Sequence, residues 1–235
     1  MGSGLPNYLT IMKLWLPSLA LLLIIGAHTG SNAADLTLKV ADKEPPKELG
    51  TAISLLLQKK AVQLLDGGQP TYEFWFVTEL PLQSKPAGLA KALDSVKQAT
   101  LLGAVSVPKS QRDYRDDELA PGIYTLRLVL QPQDGNHLGT AEFNWFAALV
   151  PAKLDTTPHG ITDYKSLVKA SSKDTATDHP LILSLRPAAT GEGELPKLNE
   201  PATEHKSVRV KIPAKAGAEK TDLMFEVVYE GKGHK

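Results

Sequence analysis

Successive side chains along most of this chain alternate between apolar and polar, the period of a half-buried β-strand. Leu36-Thr37-Leu38-Lys39-Val40 opens the pattern and Pro45-Pro46 breaks it. Apolar runs follow at 53–57 and 61–65, with Asp66-Gly67-Gly68 as a turn. Over 72–77, Tyr72, Phe74 and Phe76 share one face, while Trp75 and Val77 share the other. Residues 101–107 resume the strand pattern. Leu119-Ala120-Pro121-Gly122-Ile123-Tyr124 reads as a type II turn entering a strand, Pro121 fixing φ and Gly122 supplying positive φ. That strand sets Tyr124, Leu126, Leu128 and Leu130 on one face, and Thr125 and Arg127 on the other. Residues 143–150 are apolar on both faces. Such a strand is either central and covered twice, or has one face awaiting a partner. Runs at 181–185, 208–212 and 223–229 complete the series.

Two segments leave period two. Over 86–98, Leu89, Leu93 and Val96 fall at i, i+4 and i+7, which predicts a short amphipathic helix. Over 162–170, Thr162 is the expected cap of a second helix, with Tyr164, Leu167 and Val168 inward. Residues 187–204, rich in Gly, Glu and Pro, predict a long surface loop or tether, and 231–235 a disordered tail. Many short strands with Pro and Gly turns predict an all-β fold over 34–230. The expected form is a two-sheet antiparallel sandwich, immunoglobulin-like or jelly-roll-like, with one or two short helices. Residues 152–230 either complete that sandwich or form a second lobe.

The start of the chain departs from all of this. Lys13 precedes an apolar run over 14–27, and Ser31 and Ala33 present the small-x-small pattern of a cleavage site. The run stops at His28-Thr29-Gly30, short of the roughly 20 apolar residues that a bilayer requires. Residues 1–33 therefore read as a signal peptide. The product is expected to be exported, periplasmic or extracellular, with no stable transmembrane anchor after cleavage. Residues 1–11 carry no charge, so Met12 is a second candidate start.

Composition narrows the partners. Removing 1–33 takes away Lys13 and no acid, so 26 basic and 26 acidic residues become 25 and 26, a net charge of about −1. Nothing in that balance forms a footprint for nucleic acid, which leaves protein or carbohydrate as expected partners. The chain has no cysteine, which removes disulfide staples, Cys-ligated metals and a thiol nucleophile.

Candidate chemistry concentrates in three places. In the polar loop over 131–140, either Asp134, Gly135 and Asn136 turn the chain while His137 caps a backbone carbonyl, or Asp134 and His137 form an acid–base pair or share a metal, since a carboxylate can orient an imidazole. Around Arg112, Tyr114 and Arg115, the acids Asp113, Asp116, Asp117 and Glu118 either pair locally or present oxygens to Ca²⁺. Arg112, Tyr114 and Arg115 are also placed to pin that loop against the Asp134 loop. Trp75 and Trp145 are either core residues or stacking platforms for a sugar. Asp155, His159, Asp178 and His179 are further metal-type residues with nothing in the spacing that makes them converge. No Gly-x-Ser-x-Gly elbow, His-Glu-x-x-His or phosphate-cradling loop occurs, and no cofactor is identified.

The stretch from Leu119 to Pro151, with Ala120-Pro121-Gly122-Ile123-Tyr124-Thr125-Leu126, Gln131-Pro132 and Asp134-Gly135-Asn136-His137-Leu138-Gly139, resembles a group of uncharacterised exported bacterial β-sandwich proteins. Its Pro-Gly-x-Tyr turn is similar to one in a family of secreted domains of unknown function. The resemblance implies a sandwich outside the cytoplasm and brings no activity. The leading expectation is an exported non-catalytic protein that binds a partner or serves a cell-envelope assembly. Carbohydrate binding through Trp75 or Trp145, and metal chemistry centred on Asp134 and His137, are the alternatives. Ligand-binding residues are sought among Asp134, Asn136, His137, Trp145, Arg112 and Tyr114.

Overall fold

A computed structural model describes residues 1–2, 36–132, 141–173, 175, 179–188, 193–199 and 205–231. Most of the expected signal peptide, the Asp134, Asn136 and His137 positions, Asp178, and 232–235 of the expected tail lie outside the described residues. The described chain is all-β. Its strands are β1 (Thr37–Asp42), β2 (Lys60–Asp66), β3 (Gln69–Phe76), β4 (Leu80–Leu82), β5 (Leu101–Val107), β6 (Gln111–Arg112), β7 (Glu118–Leu119), β8 (Gly122–Leu130), β9 (Trp145–Pro151), β10 (Ile182–Pro187), β11 (Lys197–Asn199), β12 (Lys206–Ala216) and β13 (Glu219–Glu230). The helices are α1 (Thr51–Ser54) and α2 (Tyr164–Ser171).

The strands form one large sheet in the order β1-β2-β3-β5-β8-β9-β10-β13-β12-β11, with β4 beside β12 and β6–β7 as a separate small hairpin. The sheet curls strongly. Phe76 on β3 meets Phe225 on β13 edge-on at 6.3 Å, although four strands separate them in the sheet. Directly after β3, β4 crosses over to pair in parallel with Ala214–Ala216 of β12. The terminal strands β1 and β11 approach each other. Strands from before and after Pro151 thus line one concave core.

Register assigns the faces, because directly paired residues point the same way. Phe74, Val105 and Tyr124 form one row on the concave side, continued along β8 by Leu126 and Leu128. Trp75, Ala104, Thr125 and Val150 form the neighbouring row on the convex side. The convex side is covered as well. The turn Lys47–Leu49 and α1 bury Leu49 and Ile53 in the same cluster as Trp75. Leu167 of α2, with Ile161 and Tyr114, packs against Val129, Phe146, Ala148, Val150 and Ile182. The two apolar faces of 143–150 are thereby explained. Ala147 and Leu149 enter the concave core, and Phe146, Ala148 and Val150 enter the outer one. Each fully buried large apolar side chain contributes about 1.5–3 kcal/mol against exposure.

Local departures from the sequence expectations have local causes. Gly67 and Gly68, at φ 56° and 79°, join β2 to β3 in the two-residue turn that the right-handed strand twist favours. Gly122, by contrast, has no positive φ and starts β8, so the type II turn is not formed. A Cβ there would come to 3.2 Å from the Tyr124 ring, so any other residue would require that ring to shift. The Tyr124 hydroxyl then donates to the Ala120 carbonyl at 2.8 Å, the pin of a tyrosine corner. Over 86–98 only a 3₁₀ segment, Leu89–Ser95, forms, and it is interrupted at Lys91. Leu93 and Val96 are still buried, so tertiary contact rather than helical propagation holds a segment this short. Residues 53–57 begin in α1, not in a strand. Asp163, one residue past the expected Thr162, caps α2 by accepting from the Ser166 amide at 2.9 Å. The loop expected over 187–204 contains β11, paired with β12.

Candidate functional site

Of the residues singled out in sequence, Trp75 is fully buried. Its indole N–H donates to the Lys43 carbonyl at 2.9 Å, and the Lys43 ammonium sits 5.7 Å above its ring. It is a core residue and offers no sugar platform. Asp155 is equally committed. Its carboxylate takes a bidentate pair from Arg127, Nε to Oδ2 at 2.6 Å and Nη2 to Oδ1 at 2.8 Å, and Thr125 Oγ1 also donates to it. The guanidinium further donates to the carbonyls of Ala99, Thr157, Pro158 and Ile161. This buried hub fastens the 155–161 segment to the convex face of β8. Sequence reasoning placed Arg127 on that face without a partner, because Asp155 is 28 residues away along the chain.

The 110–118 loop is built for rigidity. Asp113, 2% exposed, accepts from the amides of Arg115 (2.8 Å), Asp117 (2.9 Å) and Ile182 (3.0 Å). The Tyr114 amide returns to the Ile182 carbonyl at 2.9 Å. Burial pushes the Asp113 carboxyl up to about 6, against the downward pull of those three amides. The described pins of this loop therefore run to β10. Arg112 is exposed and donates to the Asp116 carbonyl at 2.9 Å, and Arg115 lies 3.6 Å from Asp117. Among the described residues no group of three His, Asp or Glu side chains is placed to hold a metal ion.

Tyr114 and Trp145 are the two sequence candidates that the structure draws into a wider constellation. Trp145, half-buried, lies nearly parallel to Phe143 (centroids 6.1 Å, 20°), and its indole N–H donates to exposed Asp94 at 3.0 Å. The Arg186 guanidinium stands 5.7 Å from the Phe143 ring. Arg186 Nη2 reaches Glu142 at 2.7 Å and His205 Nδ1 at 2.9 Å. His205 stacks on Tyr114 at 5.7 Å, and Tyr114 in turn packs on Phe146 at 5.9 Å. Burial pushes the Tyr114 phenol up, and the Arg186 charge pulls it back. An arc of Asp94, Trp145, Phe143, Arg186, His205 and Tyr114 results. It combines aromatic faces, a guanidinium and carboxylates, the side-chain chemistry of protein and sugar recognition. Trp145 and Phe143 were legible as one strand face. Arg186 and His205 were not, since β13 must first be placed beside β10 and β12 beside β13.

No protein-family model, no curated protein and no solved structure matches the chain. Among the described residues no helix is long and apolar enough to cross a membrane.

Proposed function

We propose that this chain is an exported, non-catalytic β protein that binds a partner in the periplasm or outside the cell, as a component of a cell-envelope assembly. In this reading the two flanks of the curled sheet act as the two layers of a sandwich. The observation that carries it is the arc around Trp145 and Arg186. Trp, Tyr and Arg are the residue types that dominate binding hot spots, and here half-buried Trp145 and Arg186, 16% exposed on its side chain, lie over buried Tyr114 beside Glu142, 58% exposed. A photo-reactive residue in place of Glu142, in the full chain expressed in its native host, is expected to yield a defined adduct. The same residue in place of exposed Lys169 on α2 is the control. Equal labelling at both positions, or none at Glu142, sinks the proposal. N-terminal sequencing of the recovered protein checks export, with Ala34 as the expected first residue.

Carbohydrate binding by Trp145 is the second reading, favoured by the near-parallel Phe143–Trp145 pair. Soluble cell-wall glycan should then quench tryptophan emission, and Trp145→Phe should abolish the response. A response that survives the substitution removes this reading, because Trp75 is inaccessible.

A further inference from the structure

The hydrogen bonds of Arg186 define the state of a neighbour. Its Nη2 stands 2.7 Å from Glu142 Oε2 and 2.9 Å from His205 Nδ1. A guanidinium offers only N–H donors and keeps its charge throughout the pH range of folded proteins. Nδ1 must therefore supply a lone pair, which assigns the ring proton to Nε2 and makes His205 neutral. The same imidazole stacks on Tyr114 at 5.7 Å, 30° from parallel. One neutral ring thus ties the 110–118 loop to β10.

Arg186 has few other acceptors. Its buried Nε has no partner among the described residues. The Tyr114 hydroxyl lies beside it and is shared with Ser184. An imidazole ordinarily gains a second proton between about pH 6 and 7. On Nδ1 that proton would face an N–H of Arg186 and set a second cation within hydrogen-bond distance of the first. The acceptor is lost and attraction becomes repulsion in one step. The charges around the pair are already engaged. Glu142 is bonded to Arg186. Lys206 pairs with Glu230 at 3.1 Å. Glu226 is held by Asn199, Ser207 and Arg209. Asp113, in the loop that carries Tyr114, faces the amides of Arg115, Asp117 and Ile182.

We infer that His205 is a proton switch on the arc: neutral, it clamps Arg186 and Tyr114 together, and protonated, it lets Arg186 go and undoes that arrangement. The consequence, a partner held near neutral pH and released in acid, rests on reading the arc as a partner site. The switch itself is a property of the chain alone.

Side-chain ¹H–¹⁵N spectra of the full chain between pH 8 and pH 5 test the switch without a partner. At pH 8 His205 should show a bare Nδ1 and a protonated Nε2. As pH falls, the ring signals of Tyr114 and Phe143 should move with the His205 midpoint. His205→Asn supplies an amide oxygen as an acceptor that does not titrate, and should remove that movement. Asp113→Asn removes a neighbouring group that titrates in the same range, and should leave it. A proton on Nδ1 at pH 8, rings that do not follow His205, or movement that survives His205→Asn overturns the switch. If His205→Asn does not fold, the midpoints in the wild type and Asp113→Asn decide. The photo-adduct at position 142 tests the consequence. Replacing Glu142 leaves the His205 contact to hold Arg186, so the adduct yield in cells at pH 5 should fall at least about tenfold below that at pH 7.5. Equal yields overturn the regulatory role and leave the partner reading intact. No adduct at either pH sinks the partner reading, and the spectra then decide the switch alone.

Discussion

The Arg127–Asp155 pair offers the sharpest test of how this fold is held. Its side chains are 1% and 0% exposed, so neither charge is solvated once its partner is gone. Removing one member of a buried pair costs about 3–5 kcal/mol. At roughly 2–4 °C per kcal/mol for a chain of this size, that is a drop in Tm of about 6–20 °C. The two halves are not equivalent. Asp155→Asn leaves the guanidinium among the carbonyls of Ala99, Thr157, Pro158 and Ile161, so its cost should fall near the low end. Arg127→Met strands a buried carboxylate with the Thr125 hydroxyl as its remaining side-chain donor and withdraws a donor from four carbonyls at once, so its cost should fall at the high end or beyond. Arg127→Met combined with Asp155→Leu should cost no more than Arg127→Met alone, because the stranded charge is then absent. Urea denaturation followed by tryptophan emission measures all three, and 1 M NaCl should rescue none, since a buried pair is poorly screened. Strictly additive costs, or a loss under 1 kcal/mol for Arg127→Met, would refute the hub.

Three further outcomes follow from the same geometry. The Tyr72 hydroxyl is buried without a partner, and burial joined by the Asp113 charge pushes its pKa up; Tyr72→Phe should therefore be neutral or stabilising by up to about 1–2 kcal/mol in the same assay, and a clear loss contradicts this. Asp113, raised to about 6 when folded, binds more protons folded than unfolded between about pH 4 and 6. The stability of the wild type relative to Asp113→Asn should accordingly be greatest below about pH 4 and fall by roughly 3 kcal/mol as pH rises through 6, whereas parallel pH profiles would show that Asp113 does not titrate in this range. Tyr124→Phe removes the bond to the Ala120 carbonyl and should cost about 0.5–1.5 kcal/mol; an unchanged denaturation midpoint would mean the corner is held by packing alone.

By itself the chain's alternation determined most of the long strands and which way their side chains point. Tyr72, Phe74 and Phe76 line one side of β3, and Tyr124, Leu126 and Leu128 one side of β8, as period two requires. Near-neutral charge and missing cysteine were equally plain. Helical periodicity over 86–98 misled, because a seven-residue segment cannot pay the nucleation cost by itself and takes the shape its neighbours impose. What only the tertiary structure decided is the order in which strands pair, since hydrogen-bonded ladders are indifferent to distance along the chain. That order brings Phe225 to Phe76, Asp155 to Arg127, and Arg186 and His205 to Tyr114. It also covers both faces of β9 with separate cores. Strand identity is a local property of side-chain period, whereas the sites arise from closure of the sheet, a long-range condition that no single segment encodes.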